Sequence, residues 1–488
     1  MTDCIQQSFT FQGLGKRRVE ADFRGGNLSA DGGVMLLREA DQAVGLIEQL
    51  AECFRDHRKQ CHVEHSVTEL LSQRIFGLAM GYEDLNDHDS LRHDPVMAAG
   101  VGKTDPLGLE RFNPRDSGKA LAGKSTLNRL ELTNAKNAAQ PNNSNRGPFK
   151  IEADFDAIQS LLITFAVSQL AEDTTEIVLD FDATDSLIHG NQEGKFYHGY
   201  YDAYCYLPLY CFIGDWPLWA QQRTSNRDAS AGTVEALEKI LPKIRARFPE
   251  ARVILRGDSG FARDDILDWC EKHGIFYVVG LAKNAVLLRH LEPTLFRATA
   301  DACVRGGHCT YFCEFDYRTK KSWSRTRRVI GKAQVNPKGR NPRFIVTNLP
   351  GDSCGDETGD EARSDPRWRP KPMYCGFYCA RGDMENRIKE QQLDLFSDRM
   401  SSASMQTNQL RMWFSTFAYV LMVAFRDRGL SWSEEYRRAA PATIRDRLLK
   451  IATQIKISVR RVVLHWSSSF RYQAEVAECC RRLRTAPG

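Results

Sequence analysis

The 488-residue sequence contains no run approaching the roughly 18 consecutive apolar residues that a membrane-spanning helix needs, so a helical membrane protein is not expected. Its first residues lack the basic-then-apolar pattern of a signal peptide, and a cytoplasmic location follows as the expectation. Paired C-x-x-C spacings are also missing. The fourteen cysteines are scattered, which reads as reduced thiols rather than a disulfide framework. Their densest group is Cys303, His308, Cys309 and Cys313, with Cys375 and Cys379 later, and no zinc is expected there. No internal repeat is visible. Net charge is small, 67 − 62 = +5, and by itself names no partner.

What is present is more informative. The chain exceeds the size at which a single core stops growing, so two to four domains are expected. Positive charge gathers between Arg437 and Arg484, where twelve Arg or Lys face only Asp446, Glu475 and Glu478; such a surplus suits a polyanion, although a solvated basic tail has the same composition. Residues 1–132 open with an extended stretch (Arg17 to Phe23) and then read as short helices, one of them announced by the capping-box pair Ser66 and Glu69 before an apolar run from Leu70 to Ala79. Residues 133–150 are polar and read as a linker, with a loop at Thr133 to Gly147.

From 151 to 297 the pattern is rhythmic. A helix (Glu152 to Leu170) precedes strands at Glu176 to Asp182, Tyr204 to Ile213 and Leu218 to Arg223, followed by a helix (Thr233 to Phe248), a strand (Arg252 to Arg256), a helix (Arg263 to His273) and a strand (Ile275 to Leu281). Short connections make the first three strands antiparallel, and helical crossovers make the later ones parallel. The expectation is an α/β fold with one mixed sheet in the RNase H-like order. Residues 298–372 read as a β-rich insertion (Cys309 to Tyr317, Arg327 to Ala333, Arg343 to Asn348), ending in an acidic loop from Gly351 to Asp365. Residues 373–430 read as long helices (Met384 to Arg399, Met405 to Arg426) that return to the core, and 431–488 form the basic C-terminal region.

Two strands deliver carboxylates. The apolar run from Ile177 ends in Asp180 and Asp182, which share a face because strand side chains alternate. Asp258 sits just past the carboxyl end of the apolar strand from Arg252, where ligands of α/β sheets gather. If those strands are neighbours, the two carboxylates converge on one spot and suit a hard cation such as Mg²⁺. A third carboxylate is expected from a later helix, with Glu385 and Glu390 both available.

Around that helix, Tyr378, Arg381 and Glu385 stand at the spacing Y-x2-R-x3-E, while the position seven residues after Glu385, a lysine in the full signature, is Gln392. With Asp182-Ala-Thr184, Gly190-Asn-Gln-Glu-Gly194 and the β-rich stretch between the second and third carboxylates, the chain resembles bacterial insertion-sequence DDE transposases, in particular the branch numbered 1380. That resemblance implies Asp182, Asp258 and Glu385 as catalytic metal ligands for Mg²⁺, with Mn²⁺ able to substitute. It also implies that Tyr378, Arg381 and position 392 contact DNA, and that residues 1–132 bind the element's ends. The partners would be double-stranded DNA, as terminal inverted repeats and target, and a second copy on the paired ends. A catalytically inactive DNA-binding derivative is a rival reading.

A rival of another class is a phosphate-loop ATPase, since Gly118 to Ser125 satisfies G-x-x-x-x-G-K-S. Such a loop must follow a hydrophobic strand, and the segment before Gly118 is polar and broken by Pro114. The His- and Asp-rich segment Tyr82 to Pro95 is read as turns and helix caps rather than a metal site.

Overall fold

The computed structural model describes residues 8–132, 150–320, 322–351 and 365–485. The loops expected at 133–147 and 351–365 lie outside the described residues, apart from Gly351 and Asp365. Two compact units are present, Phe155–Thr416 in one, and Met1–Asp154 with Phe417–Gly488 in the other.

In the unit Phe155–Thr416, β-branched and aromatic runs form a nine-stranded mixed sheet. Its main path uses β1 (Glu176–Ala183), β2 (Leu209–Ile213), β3 (Trp216–Gln221), β4 (Arg252–Gly257), β5 (Phe276–Leu281), β6 (Cys309–Tyr317), β7 (Arg327–Asn336) and β8 (Arg343–Thr347), in the order β3-β2-β1-β4-β5-β8-β7-β6. The pairs β1–β2 and β2–β3 are antiparallel, and β1–β4 and β4–β5 are parallel. Short turns cannot reverse a strand into parallel register, whereas the helices Thr233–Arg247 and Asp264–Lys272 provide the crossovers.

The β-rich stretch does not form a layer of its own. Strand β8 pairs antiparallel with β5, from Val278↔Thr347 to Leu281↔Phe344, so these strands extend the same sheet and cover what would be an open edge of β5. The alternation-based start near residue 298 falls inside a 21-residue helix, Ala285–Arg305, whose N-terminus is capped by Asn284 accepting from Val286 N (3.0 Å) and Leu287 N (2.9 Å). That helix packs on β6 and β7.

One face of the widened sheet is closed by the segment from Trp368 onward. Ile254 and Val278 of the central strands and Ile330 and Ile345 of the added ones pack with Trp368, Met373 and Tyr374. Area burial of this kind contributes on the order of 1.5–3 kcal/mol for each large apolar side chain. The added strands thus supply half the floor on which the third-carboxylate segment lies.

The other unit is mainly helical in its N-terminal part, with Val34–Val44, Leu46–Glu52, Val67–Ala79, Pro95–Val101 and Lys124–Glu131. Ser66 and Glu69 make the anticipated reciprocal cap of Val67–Ala79. Within the His- and Asp-rich segment, Asp94 caps the helix from Pro95 by accepting from Val96 N (2.8 Å) and Met97 N (3.0 Å). The basic C-terminal region folds into this same unit: Thr453–Ser458 pairs with Leu28–Ser29 and with Arg461–Trp466. Buried Asp31 ties the ends together, receiving the Tyr82 hydroxyl (2.6 Å) and pairing with Lys450 (2.7 Å).

Candidate active site

The site grows from the register of two parallel strands. Arg252↔Glu176 through Gly257↔Phe181 is an unbroken in-step pairing, and one step further places Asp258 beside Asp182 at the carboxyl ends of β4 and β1. Two residues back, by the same register, Arg256 lies beside Asp180. Alternation puts all four side chains on one face, the face covered by the later helical segment.

The two acidic positions on β1 have different surroundings. Asp180 is buried and held by a two-pronged ion pair, Arg256 Nε to Oδ1 at 2.5 Å and Nη2 to Oδ2 at 2.7 Å, while Arg256 Nη1 donates to the Phe377 carbonyl at 2.6 Å. Its oxygens are committed to the fold. Removing either partner strands the other charge in the interior, so Asp180→Ala or Arg256→Ala should lower stability by about 3–5 kcal/mol in urea denaturation. A variant at Asp180 that melts like the parent would return that residue to consideration as a ligand.

Asp182 has no such partner. Oδ1 accepts from Ala183 N (2.9 Å), and Oδ2 stands 3.8 Å from Arg381 Nη1. Burial first, and then the negative charge of Asp258, push its carboxyl from the ordinary 3.8 up to about 7; Arg381 pulls the other way. The folded state therefore holds this proton between about pH 4 and pH 7 where the unfolded chain has lost it. Its contribution to stability is present at low pH and disappears as pH rises through about 7. Asp182→Asn removes the effect, and above that pH the variant should be more stable than the parent by on the order of 4 kcal/mol, for a carboxyl displaced from 3.8 to about 7. Parallel stability curves for the two proteins from pH 4 to 9 would show that Asp182 is not under this electrostatic load.

Asp258 caps the single turn that follows its strand, Oδ1 accepting from Gly260 N at 2.8 Å. The backbone here comes very close to β5: a Cβ added at Gly280 would lie 2.8 Å from Ser259 N, 3.1 Å from Asp258 C and 2.6 Å from the Tyr378 hydroxyl oxygen. Glycine at 280 is what lets three site elements meet.

The covering segment is not one regular helix. Met373–Tyr378 is π-helical, Cys379–Arg381 is a 3₁₀ turn, and Gly382–Lys389 is α-helical. A second π turn, Glu390–Asp394, then replaces the continuous helix expected to Arg399. Wide and tight turns of this kind re-aim side chains and are frequent at functional sites. Tyr378 is partly buried, and burial raises its hydroxyl. Arg381 reaches Glu385 Oε1 at 2.9 Å and, more loosely, Asp182. Burial works against its charge, but Tyr378, Asp182 and Glu385 together hold the guanidinium above its usual range. Glu390 instead pairs with Arg387 at 3.1 Å. Gln392 donates its amide to the Asp185 carbonyl (2.9 Å), bracing the loop that leaves β1.

The structure thus brings together Asp182, Asp258, Arg381 and Glu385, with Tyr378 beside them. Among the described residues no three His, Cys, Asp or Glu side chains are gathered closely enough to make a ready coordination sphere. Arg381 takes the space a cation would neutralise between Asp182 and Glu385. Even so, the donor set fits a hard divalent ion, because Asp182 and Asp258 are two facing carboxylates with too little positive charge for the burial of Asp182. Sequence reading missed Arg256 and Gly280. The first could have been inferred from a lone arginine in an apolar strand two residues before Asp258.

The phosphate-loop context is not met. A 3₁₀ turn, Pro114–Asp116, precedes Gly118, and Lys124 Nζ is engaged by Asn86 (3.2 Å) and Asp89 (3.3 Å). No helix among the described residues is long and apolar enough to cross a membrane. The family model described as "Transposase DDE domain group 1" matches residues 11–487. No curated protein matches the chain.

Proposed function

The chain belongs to the transposase DDE domain group 1 family, and from that premise we propose that it cuts and joins DNA at the terminal inverted repeats of an insertion sequence, using Asp182, Asp258 and Glu385. The reading is supported above all by the in-step placement of Asp258 beside Asp182 at the ends of adjacent parallel strands. The order β3-β2-β1-β4-β5 fits an RNase H-like core. The finer placement, in the branch numbered 1380, rests on the spacing of Tyr378, Arg381 and Glu385 and on residues 190–194.

Divalent ions, Mg²⁺ by the hardness of the oxygen donors, would be held by the three carboxylates and would supply activation of water or a 3′-hydroxyl and charge stabilisation for in-line phosphoryl transfer. Asp258 is prepared for this role, since its capping bond fixes the carboxylate while Oδ2 takes no hydrogen bond among the described residues. Glu385 must release Arg381 before it turns to the same point. The guanidinium so freed carries its charge towards a DNA phosphate, a planar fork suited to that group. Tyr378 lies where its hydroxyl can follow the same backbone, whereas Gln392 reaches DNA only by giving up the Asp185 carbonyl. A second copy on the paired ends completes the proposal.

The direct test incubates purified protein with duplexes carrying the element's own ends and with Mg²⁺ or Mn²⁺. Nicks at the repeat boundaries and joining to a target plasmid are expected. Binding without cutting in either metal would favour the inactive DNA-binding derivative.

A further inference from the structure

The twelve Arg and Lys of the C-terminal region do not act as one basic tail. Arg447 pairs with Glu435, Lys450 with Asp31, and both Arg481 and Arg482 with Glu478. Arg445 is spent on the Ala79 carbonyl (2.8 Å). These cations neutralise charge inside their own unit and have little to offer a polyanion.

The hairpin Thr453–Ser458/Arg461–Trp466 differs. It contains no Asp or Glu, and its Lys456, Arg460 and Arg461 are exposed with no ion pair among the described residues. Its register sorts the side chains. Ile455↔Leu464 and Ile457↔Val462 share the inner face, where Ile455 is 3% exposed, and Lys456↔Val463 and Ser458↔Arg461 share the outer one. The turn between the strands carries Arg460 beside Val459, an apolar side chain fully open to solvent. Arg461–Trp466 is also the edge strand of its three-stranded sheet, with nothing laid along it among the described residues.

We infer that this hairpin is a DNA-contacting ribbon: Lys456, Arg460 and Arg461 neutralise backbone phosphates of duplex DNA, with the Val459 turn leading into a groove. A two-stranded ribbon has the width that the major groove admits, and two unpaired cations on its outer face with a third in the turn complement the phosphate rows beside it. The inference rests on the transposase reading for the identity of the partner, and adds a segment of the chain, other than the one that carries the carboxylates, that holds the duplex.

The test is a salt titration of binding to a fluorescein-labelled random-sequence duplex, read by anisotropy, and repeated with a terminal-repeat duplex. Replacing Lys456, Arg460 and Arg461 together by alanine should flatten the slope of log K against log salt by up to roughly 2.7, about 0.9 for each phosphate that is no longer neutralised. Both duplexes should weaken by a similar factor of about ten or more, since phosphate contacts carry no sequence information. Replacing the three by glutamine keeps the aliphatic stems and should give the same result, which separates the removal of charge from a damaged hairpin. Arg481→Ala with Arg482→Ala removes paired cations and should leave the slope within about 0.5 of the parent. A triple variant with the parental slope, a control that flattens it equally, or a triple variant that changes only self-association along the edge strand would each overturn the inference. Failure of the parent protein to bind any duplex would overturn the transposase reading as well.

Discussion

Asp182→Ala, Asp258→Ala and Glu385→Ala are each expected to lower metal-dependent cleavage of end DNA by about three orders of magnitude, with binding to the ends little changed. The reason is geometric. On the proposed reading, a divalent ion shared by carboxylates from two strands and a helix would lose its position when one donor goes, while end DNA would still be held by contacts elsewhere on the protein. The three variants should also differ in a way that a simple loss of fold would not reproduce. Asp182→Ala relieves a buried carboxyl pushed up to about 7 and should be at least as stable as the parent at neutral pH. Asp180→Ala, by contrast, should unfold more readily, because Arg256 then keeps a buried charge without its partner. Gel assays of nicking, anisotropy for binding and urea midpoints for stability separate these outcomes. Normal cutting by Asp182→Ala together with a well-folded but inactive Asp180→Ala would reverse the assignment of the first ligand.

Gly280→Ala is expected to be nearly as damaging to cleavage, by about a hundredfold, although residue 280 bears no chemistry of its own. The added methyl meets backbone at Ser259 N (2.8 Å) and Asp258 C (3.1 Å), and neither can swing aside as a long side chain would. Relief must come from moving the Asp258 turn away from β5 or from displacing Tyr378, whose hydroxyl oxygen lies 2.6 Å from the methyl position. A shift near 1 Å at a metal ligand costs about two orders of magnitude in rate, and overpacking costs about 1–3 kcal/mol in stability. Tyr378→Phe removes one of the three obstacles, and in that background Gly280→Ala should cost less if the phenol is the main conflict. Full activity of Gly280→Ala with an unchanged melting curve would show that the turn after β4 is free to retreat and that its position is not tuned.

Much of the core was legible because its signals are local. The strands from Glu176, Arg252 and Phe276 are largely apolar runs of six to eight residues bounded by turns, and the intervening helices carry the 3.6-residue period; their observed ends depart from the expected ones by a few residues at most. The Ser66–Glu69 cap is a four-residue pattern and forms as read. What failed were inferences that extended a local pattern too far. The β-rich stretch expected from residue 298 in fact begins after the helix Ala285–Arg305, whose period is interrupted by Pro293. The helix expected from Met384 to Arg399 is regular only to Lys389, because π turns have no sequence period of their own.

By itself, the sequence determined the candidate chemistry: Asp182 and Asp258 at the ends of two apolar strands, and Tyr378, Arg381 and Glu385 at a spacing that groups them on one segment. Side-chain alternation and signature spacing are properties of neighbouring residues, so one chain suffices to read them. Only the tertiary structure decided which acid is committed to a two-pronged ion pair and which is not. It pairs Asp180 with Arg256 across 76 residues, leaves Asp182 to Arg381 at 3.8 Å, and joins the β-rich stretch to β5 to make the floor beneath Trp368, Met373 and Tyr374. It also separates, within the basic region, cations consumed by Glu435, Asp31 and Glu478 from the exposed Lys456, Arg460 and Arg461 of one hairpin. The physical reason is the same in each case: a charge acquires its role from the partner that desolvates or neutralises it, and that partner is brought close by the fold rather than by the order of the chain.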